Sequence, residues 1–322
     1  ICFTLPVSLS WLAVSGHGSL LIKQPHPPAS RLLQDKIWKI QLIHFPHSVP
    51  CLIFISYLCL KPLDMNSDMK RAIIIGATSG IGCEVAKQLL LQGWRLGIAG
   101  RRLPALEALQ SSAPDLIEIA VLDVTQPDAT PKLNNLIRRV GGMDLFLLSS
   151  GIGYQNMELN PDIELDTART NVEGFMRMAD TAFHHFREHG GGQWAVISSI
   201  AGTKGLGVAP AYSATKRFQN TYIDALEQLA GMQKLNIRFT DIRPGFVSTD
   251  LLNDGKHYPL LMRPEKVAKR IVRALNHHQR VVVIDWRYAI IVFFWRMIPR
   301  RIWKQLPIRT GQKPTEKNSK IG

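Results

Sequence analysis

The stretch RAIIIGATSGIGCEVAKQLLLQGW, residues 71–94, constrains the fold more than any other part of the chain. A short β-branched run leads into a glycine-rich turn, which is followed by apolar residues at helical spacing. Gly76, Gly80 and Gly82 allow the turn to approach an anion closely, and the start of the helix directs free N–H groups at the same point. The stretch therefore predicts a strand–turn–helix site for the phosphates of a dinucleotide, with a plain tight turn as the alternative.

Apolar runs that end in turn residues recur along the chain and alternate with helical stretches. They are IEIAVLDV at 117–124, DLFLLSSGIG at 144–153 and QWAVISSIAG at 193–202. This alternation predicts an α/β fold with a parallel, doubly wound sheet. Ligands of such sheets bind beyond the carboxyl ends of the strands, so the residues that follow each run are the candidates for a site. The first of these runs is expected to be a strand that ends in Asp123.

The second strand, RLGIAG at 95–100, bears on the choice of cofactor. An Asp or Glu at its end would hold the ribose 2′-hydroxyl of NAD, but the strand is followed by Arg101 and Arg102. A guanidinium group pairs with a 2′-phosphate, whereas a carboxylate repels it. The sequence therefore favours NADP(H) over NAD(H), and two solvated arginines are the alternative.

The formal charge of +14 is concentrated at the end of the chain. Residues 286–322 carry nine Lys/Arg and one Asp/Glu, whereas residues 69–285 carry 25 and 21. A nearly neutral body with no basic stripe excludes sequence-specific nucleic-acid binding. The four cysteines form no CxxC pair and no metal-ligand spacing, so we expect no metal site and a reducing, cytoplasmic location.

The first 68 residues do not read as a domain. They are rich in Pro and His, show no sustained amphipathic period and begin with Ile1. MKRAIII, which starts at Met69, is typical of the beginning of a cytoplasmic α/β protein. Residues 1–68 are therefore interpreted as an artefact of upstream translation, with a poorly ordered extension or anchor as the alternative; N-terminal sequencing of the native protein would distinguish them.

From Met69 to about Asp285 the chain resembles the short-chain dehydrogenase/reductase family in its compact form. The matching stretches, in family order, are GATSGIG at 76–82, LDVT at 122–125, SSGIG at 149–153, TNVEG at 170–174, VISSIAG at 196–202, YSATK at 212–216 and RPGFVST at 243–249. The resemblance implies a Rossmann-type, mainly parallel seven-stranded sheet with helices on both faces. It also implies NADP(H)-dependent oxidation or reduction of a small carbonyl or alcohol, and a homodimer or homotetramer.

The resemblance assigns a catalytic tetrad to Asn171, Ser199, Tyr212 and Lys216. Ser199 is chosen over Ser198 because it lies thirteen residues before Tyr212, as in the family, and strand alternation directs Ser198 to the other face. Tyr212 and Lys216 lie one helical turn apart and share a face.

The residues themselves suggest chemistry for this tetrad. A carbonyl that receives hydride also needs a proton, and a phenol with a pKa of about 10 donates it more readily beside an ammonium group. Ser199 is expected to stabilise the substrate oxygen. By resemblance, Lys216 also holds the nicotinamide ribose, and Asn171 positions a water in a proton relay. An Asn171 side chain bonded to its own helix backbone is the alternative.

The resemblance also implies which residues contact the cofactor. They are Gly76, Ser79, Gly80, Ile81, Gly82, Arg101, Arg102, Asp123, Val124, Gly151, Tyr212, Lys216, Pro244, Gly245, Val247 and Thr249. The chain departs from the family pattern at Ile75, where Thr is common, and at Ser149 and Ser150, where two Asn are common. These departures concern the sheet beneath the cofactor and leave the tetrad intact.

The substrate pocket is expected to be bounded by residues 151–156, 200–210 and 250–261, with Lys204 and His257 as its cationic candidates. The aromatic and basic segment 286–309 is predicted either to lie on a membrane surface or to pack on the pocket or a dimer interface. The function that follows is an NADP(H)-dependent oxidoreductase. A cofactor-sensing regulatory or scaffold protein without turnover is the rival from another class.

Overall fold

The computed structural model describes residues 12–14, 20–22, 69–252 and 258–308, and the chain forms two compact units, Ile1–Leu63 and Asp64–Gly322. In the first unit, strands β1 (Leu12–Val14) and β2 (Leu20–Ile22) pair antiparallel. The rest of the N-terminal extension, His257 and the end of the basic tail lie outside the described residues.

In the described part of the second unit, seven parallel strands form one sheet in the order β5-β4-β3-β6-β7-β8-β9. The strands are β3 Arg71–Ile75, β4 Arg95–Gly100, β5 Ile117–Val121, β6 Leu145–Leu148, β7 Gly192–Ile197, β8 Ile237–Pro244 and β9 Val281–Ile284. The predicted Rossmann-type, doubly wound α/β sheet is therefore confirmed.

Helices connect these strands or follow the last of them, and they cover both faces of the sheet. They are α1 Gly80–Leu90, α2 Leu103–Gln110, α3 Ala129–Val140, α4 Pro161–Ala168, α5 Phe175–Glu188, α6 Pro210–Met232, α7 Pro264–Asn276, α8 Trp286–Met297 and α9 Arg300–Trp303. A π-helix lies at Arg169–Gly174, and 3₁₀ turns lie at Ile200–Thr203 and Asp250–Leu252.

The apolar runs of the strands are buried on both faces because helices pack on each side. In β3, Ile74 belongs to one hydrophobic cluster with Val85 of α1 and Ile271 of α7. The neighbouring Ile73 belongs to the other cluster, with α3, α5 and α6. The alternation of side chains along a strand thus divides the core into two layers.

The sheet reverses its strand order at β3. The chain continues from β3 to β4 on one side and returns to β6 on the other, so a crevice opens between the ends of β3 and β6. Gly76 follows β3 and its N–H donates to the Ala99 oxygen at 2.8 Å, while the Ser149 N–H after β6 donates to the Ile75 oxygen at 2.8 Å. These bonds hold both turns at the edge of the crevice.

One strand is shorter than the sequence pattern indicates. We expected β5 to end in Asp123, but it ends at Val121. The Asp123 carboxylate accepts from the N–H and the hydroxyl of Thr125, and the Gln126 N–H donates to the Asp123 carbonyl. Because this turn uses the groups that a strand would pair, the chain leaves the sheet before the pattern ends.

The last helices pack against the core of the second unit, to which they belong. Tyr288 and Val292 of α8 are buried in the cluster that contains Ile74, and Trp303 of α9 is buried as well. Asp285 adopts a φ of 78°, and its carboxylate caps α8 by accepting from the Arg287 N–H. In the described ranges, none of the helices combines the length and the apolar character needed to cross a membrane.

Candidate active site

The glycine-rich turn after β3 has no room for side chains at its glycine positions. Gly76 has a φ of +91° and Gly80 one of +56°, a region that favours glycine. A Cβ on Gly76 would lie 2.6 Å from the Ser150 nitrogen, and one on Gly82 would lie 2.2 Å from the Gly76 oxygen. The turn therefore presents bare backbone at the start of α1, a geometry that fits a pyrophosphate group.

A single cavity of about 950 Å³ extends from this turn across the carboxyl ends of the strands. A volume of this order is typical of cofactor and ligand sites. The predicted cofactor residues that line it are Gly76, Ser79, Gly80, Ile81, Arg101, Arg102, Asp123, Val124, Gly151, Tyr212, Lys216, Pro244, Gly245, Val247 and Thr249. Gly82 lies behind the turn, where it allows α1 to pack against Gly76.

The two arginines after β4 lie at the rim of the cavity. Arg102 reaches Asp250 at 3.3 Å and the Thr78 hydroxyl at 3.4 Å, and both members of the ion pair are largely exposed. An exposed pair of this kind contributes little stability, so the guanidinium is free to exchange its partner for a ligand phosphate.

Tyr212 enters the cavity from the first turn of α6. A Cβ on Gly153 would lie 2.3 Å from the Tyr212 ring, so the absence of a side chain there gives the ring its place. Glu164 of α4 accepts from the Ala211 N–H at 3.0 Å and from the Asn156 amide at 2.8 Å. This carboxylate holds the start of α6 against the turn after β6.

Ser199 and Tyr212 both line the cavity. Burial raises the pKa of the Tyr212 phenol, and the hydrogen bond from Ser199 acts in the opposite direction. The Ser199 hydroxyl also accepts from the Ala201 N–H at 3.1 Å, which fixes it at the start of a 3₁₀ turn. The serine and the phenol therefore converge on one point of the cavity wall.

Lys216 is buried beside the phenol. Its Nζ lies 5.8 Å from the centre of the Tyr212 ring and donates to the Ile197 oxygen at 3.0 Å and to Gln219 Oε1 at 3.1 Å. Burial lowers the pKa of Lys216 to about 8, although the charge of Asp241 acts in the opposite direction. At neutral pH most of the lysine is still protonated.

Asn171 lies in the π-helix between α4 and α5, and its side chain is fully buried. Its Oδ1 accepts from the Ile152 N–H at 2.9 Å, and its Nδ2 donates to the Ile152 oxygen at 2.6 Å and to the Thr215 hydroxyl at 3.1 Å. The described contacts of this side chain thus join the turn after β6 to α6, and the alternative of a bond to its own helix backbone is wrong.

Gln219 is a site residue that the sequence reasoning missed. Its Oε1 accepts from the Lys216 ammonium, and its Nε2 donates to the Asn171 carbonyl at 2.9 Å. The glutamine follows Lys216 by three residues, so helical spacing could have placed it on the same face. It connects two members of the predicted tetrad.

A buried polar network beneath the cavity was also missed. Ser198 donates to Asp241, which accepts in addition from Asn220 at 2.8 Å and from the Arg243 guanidinium. These contacts agree with the predicted direction of Ser198, away from the position of Ser199. No motif in the sequence connects the members of this network.

The wall on the substrate side comes from the three predicted segments, as far as the structure describes them, and from α8. Tyr288, Ile291 and Trp295 of α8 line the cavity together with Ile308. Packing on the pocket, one of the two predictions for the basic segment, is thus observed. Lys204 is not a cation of the cavity, because its Nζ donates to the Ile298 oxygen at 2.6 Å and lies against the Trp303 ring.

Tyr288 is the residue by which α8 joins the cavity wall. Its ring lies against Gly245, where a Cβ would be 2.3 Å away. Its hydroxyl accepts from the Phe246 N–H at 3.2 Å and lies 2.9 Å from the Pro259 oxygen. One side chain therefore fixes both the turn after β8 and the loop that follows it.

Comparison with known proteins agrees with this geometry. Residues 70–258 match the family model for short chain dehydrogenase. A protein of Myxococcus xanthus, described as an uncharacterized oxidoreductase, is 31% identical over 245 residues, which are 74% of this chain and 93% of that protein. Dehydrogenase/reductase SDR family member 7B of Bos taurus is 26% identical over 294 residues, which are 83% of this chain and 90% of that protein.

Solved structures share the fold. An alcohol dehydrogenase of Thermococcus sibiricus, complexed with 5-hydroxy-NADP, matches with a TM-score of 0.60 and 22% identity over 67% of this chain and 96% of that one. A 3-ketoacyl-(acyl-carrier-protein) reductase of Brucella melitensis, complexed with NADH, matches with a TM-score of 0.60, 23% identity and the same coverage. Taken together with the family match, these similarities show that the chain belongs to the short-chain dehydrogenase/reductase family of oxidoreductases.

Proposed function

We propose that the protein is an NADP(H)-dependent oxidoreductase that interconverts a carbonyl and a secondary alcohol. The observation that carries the proposal is the convergence of Ser199, Tyr212 and Lys216 on one cavity that begins at the glycine-rich turn. An acid, a hydrogen-bond donor and a cation at one point are what reduction of a carbonyl requires of a protein.

Each residue of the tetrad has a distinct role in this proposal. The nicotinamide supplies or accepts the hydride. Tyr212 gives its phenolic proton to the substrate oxygen, and Ser199 donates a hydrogen bond to the same oxygen as its charge grows. Lys216 would hold the ribose hydroxyls of a bound cofactor, and its charge stabilises the phenolate. Asn171 fixes the turn at Ile152 and, with Lys216, completes a relay that returns a proton to Tyr212.

Burial of Tyr212 opposes ionisation of its phenol, and the charge of Lys216 acts against this effect. Burial alone raises the pKa of Tyr212, so the phenol is a weak acid without help. A protonated Lys216 and the hydrogen bond from Ser199 both favour the phenolate. Because the pKa of Lys216 is about 8, its charge is present at neutral pH and is lost as the solution becomes alkaline.

The preference for NADP(H) rests on the rim of the cavity. Arg101 and Arg102 lie there, and the strand before them ends in Gly100 without a carboxylate. A Cβ on Gly100 would lie 2.6 Å from Thr78 Cγ2, so a side chain at the end of this strand would displace Thr78. We expect a lower Kd for NADPH than for NADH, and the reverse order would contradict this part of the proposal.

The substrate is proposed to be an apolar carbonyl compound or alcohol. The side chains that α8 and the loop after β8 add to the cavity are mostly apolar or aromatic, such as Leu260, Ile291 and Trp295. The ammonium group of Lys204, a candidate cation of the pocket, donates to the Ile298 oxygen instead of facing the cavity. A substrate without a strong negative charge fits such a wall.

The test is a panel of apolar aldehydes and ketones with NADPH, followed by the loss of NADPH absorbance. Tyr212→Phe removes only the hydroxyl, so turnover should be abolished while the Kd of NADPH stays within about twofold. Ser199→Ala should lower kcat by about a hundredfold or more. Binding of NADPH without turnover of any carbonyl compound in the wild type would favour the cofactor-sensing alternative.

The organisation of the chain stays a proposal. We propose that residues 69–285 form the catalytic domain, with residues 1–68 outside it and residues 286–322 as a C-terminal tail whose first part completes the cavity. A homodimer or homotetramer and a cytoplasmic location are also proposed, and sedimentation and cell fractionation of the native protein would test them.

A further inference from the structure

The helix α8 is apolar on two sides, and only one of them faces the protein. Tyr288, Ile291, Val292 and Trp295 point towards the core and the cavity. On the other side lie the side chains that we call the outer face. Its members, 47% to 66% exposed, are Trp286, Ile290, Phe293, Phe294, Met297 and, on α9, Ile302.

The outer face is a continuous stripe, because its members on α8 recur at intervals of three and four residues. Exposed aromatic side chains in such number are unusual on the surface of a soluble monomer and mark a site of contact. Among the described residues, those that pack on α8 cover its inner side only. The outer face therefore lacks a partner within the described part of the chain.

Exposed cations lie at the end of α8 and on α9, in the segment that carries the outer face. Arg296, Arg300, Arg301 and Lys304 are exposed, and none of them has an ion-pair partner among the described residues. Arg287 differs from them because Asp285 holds it at 2.9 Å. Residues 286–308 contain no Asp or Glu. The segment that carries the outer face thus has uncompensated positive charge.

The positive charge favours some binding partners of the outer face over others. Two copies of the outer face meeting about a two-fold axis would bring like charges together, which is unfavourable. The headgroups of an anionic bilayer would neutralise the same cations while the acyl region accepts the aromatic rings. A helix of twelve residues is too short to span a bilayer, so it would lie in the plane of the surface.

We propose that the outer face of α8 and α9 binds the surface of an anionic membrane. The Phe293 and Phe294 rings enter the boundary between headgroups and acyl chains. Arg296, Arg300, Arg301 and Lys304 meet the anionic headgroups. The proposal does not depend on catalysis, since the side chains of the outer face lie outside the cavity wall.

The experiment is flotation of the full chain with vesicles of phosphatidylcholine mixed with phosphatidylserine, and with vesicles of phosphatidylcholine alone. The wild type should float with the mixed vesicles, and high salt should lower the bound fraction. Phe293→Ser combined with Phe294→Ser should lower the bound fraction at least about tenfold. Phe293→Trp combined with Phe294→Trp should retain binding.

A matched control removes apolar surface elsewhere. Leu91 and Met232 are 80% and 76% exposed and lie far along the chain from α8. Leu91→Ser combined with Met232→Ser should float like the wild type. The Kd of NADPH and the thermal midpoint of each variant show that it is folded, because the changed side chains do not line the cavity.

Three results would overturn the proposal. The first is a wild type that binds neither kind of vesicle in low salt. The second is a double Phe→Ser variant that binds as well as the wild type, in which case another segment of the chain attaches it. The third is sedimentation in which the double Phe→Ser variant dissociates an oligomer without any change in flotation, which would assign the outer face to a second copy.

Discussion

At the scale of single residues, the site depends on two side chains that are held close to glycine. The Tyr212 ring fills the space that a side chain at Gly153 would need, and the Tyr288 ring does the same at Gly245. The sequence motif SSGIG identifies Gly153 as part of a turn, but it does not reveal which ring lies against it. The requirement for glycine there comes from a tertiary contact and not from backbone conformation.

Gly153→Ala should therefore damage catalysis without affecting the cofactor turn. The added methyl would displace the Tyr212 ring, and a shift of the order of an ångström lowers kcat by about a hundredfold. Steady-state kinetics and the Kd of NADPH measure the two effects separately. Gly205→Ala is the matched control, since a Cβ there meets nothing within 4 Å. A wild-type kcat for Gly153→Ala would contradict the contact.

Burial of the Lys216 ammonium group makes the free energy of unfolding depend on pH. Its pKa falls from the ordinary lysine value of 10.5 to about 8 in the folded protein, so the unfolded chain binds more protons between these values. The free energy of unfolding should rise by up to about 3 kcal/mol as the pH increases from 8 towards 10.5. The raised pKa of Tyr212 acts oppositely, but only above a pH of about 10.

Denaturant unfolding at a series of pH values, without cofactor, measures this effect. Lys216→Met removes the titrating group and keeps most of the volume of the side chain, so its curve should lack the rise above a pH of about 8. Parallel curves for the wild type and for Lys216→Met would show that burial of this ammonium does not control stability.

At the scale of elements, the site is assembled where helices meet turns. α4, the π-helix and α5 follow one another without interruption from Pro161 to Glu188, and the π-helix buries Asn171. π-helical turns are rare and occur frequently at functional sites. The motif TNVEG predicts the presence of Asn171, whereas its direction depends on this local widening of the helix.

Glu164 is the contact by which α4 holds α6. Glu164→Ala should lower the free energy of unfolding by about 1 kcal/mol, because an acceptor at the start of α6 is lost. Glu164→Gln keeps one acceptor oxygen and should recover part of this loss. Urea unfolding of the three proteins measures the difference. Equal midpoints for all three would mean that the carboxylate does not stabilise α6.

At the scale of the whole molecule, the features that could be predicted from the sequence are those determined by residues close together in the chain. Strands, the glycine turn and the pair Tyr212 and Lys216 depend on local spacing, and the structure contains them. Gln219 could have been inferred from its position on α6. The contacts of Tyr288 and Lys204 could not, because they join segments more than 25 residues apart in the chain.

Tyr288 should affect both cofactor and substrate, because its hydroxyl contacts the turn after β8 and the loop that follows it. Tyr288→Phe leaves the Phe246 N–H and the Pro259 oxygen without their partner, which costs about 1–3 kcal/mol of stability. The turn after β8 and the following loop then lose their common anchor, so the Kd of NADPH and the KM for a carbonyl substrate should both rise. Kinetics and the Kd of NADPH test this, and an unchanged KM would show that the loop holds its place without the hydroxyl.

The position of α8 in the chain has a consequence for biosynthesis. The glycine turn and the whole sheet are encoded before residue 285, whereas Tyr288 and Trp295 are added afterwards. Because the chain leaves the ribosome in order of sequence, the residues that follow the strands are released before the residues of α8. The emerging polypeptide therefore presents an open cleft before α8 is available to close one wall of the cavity.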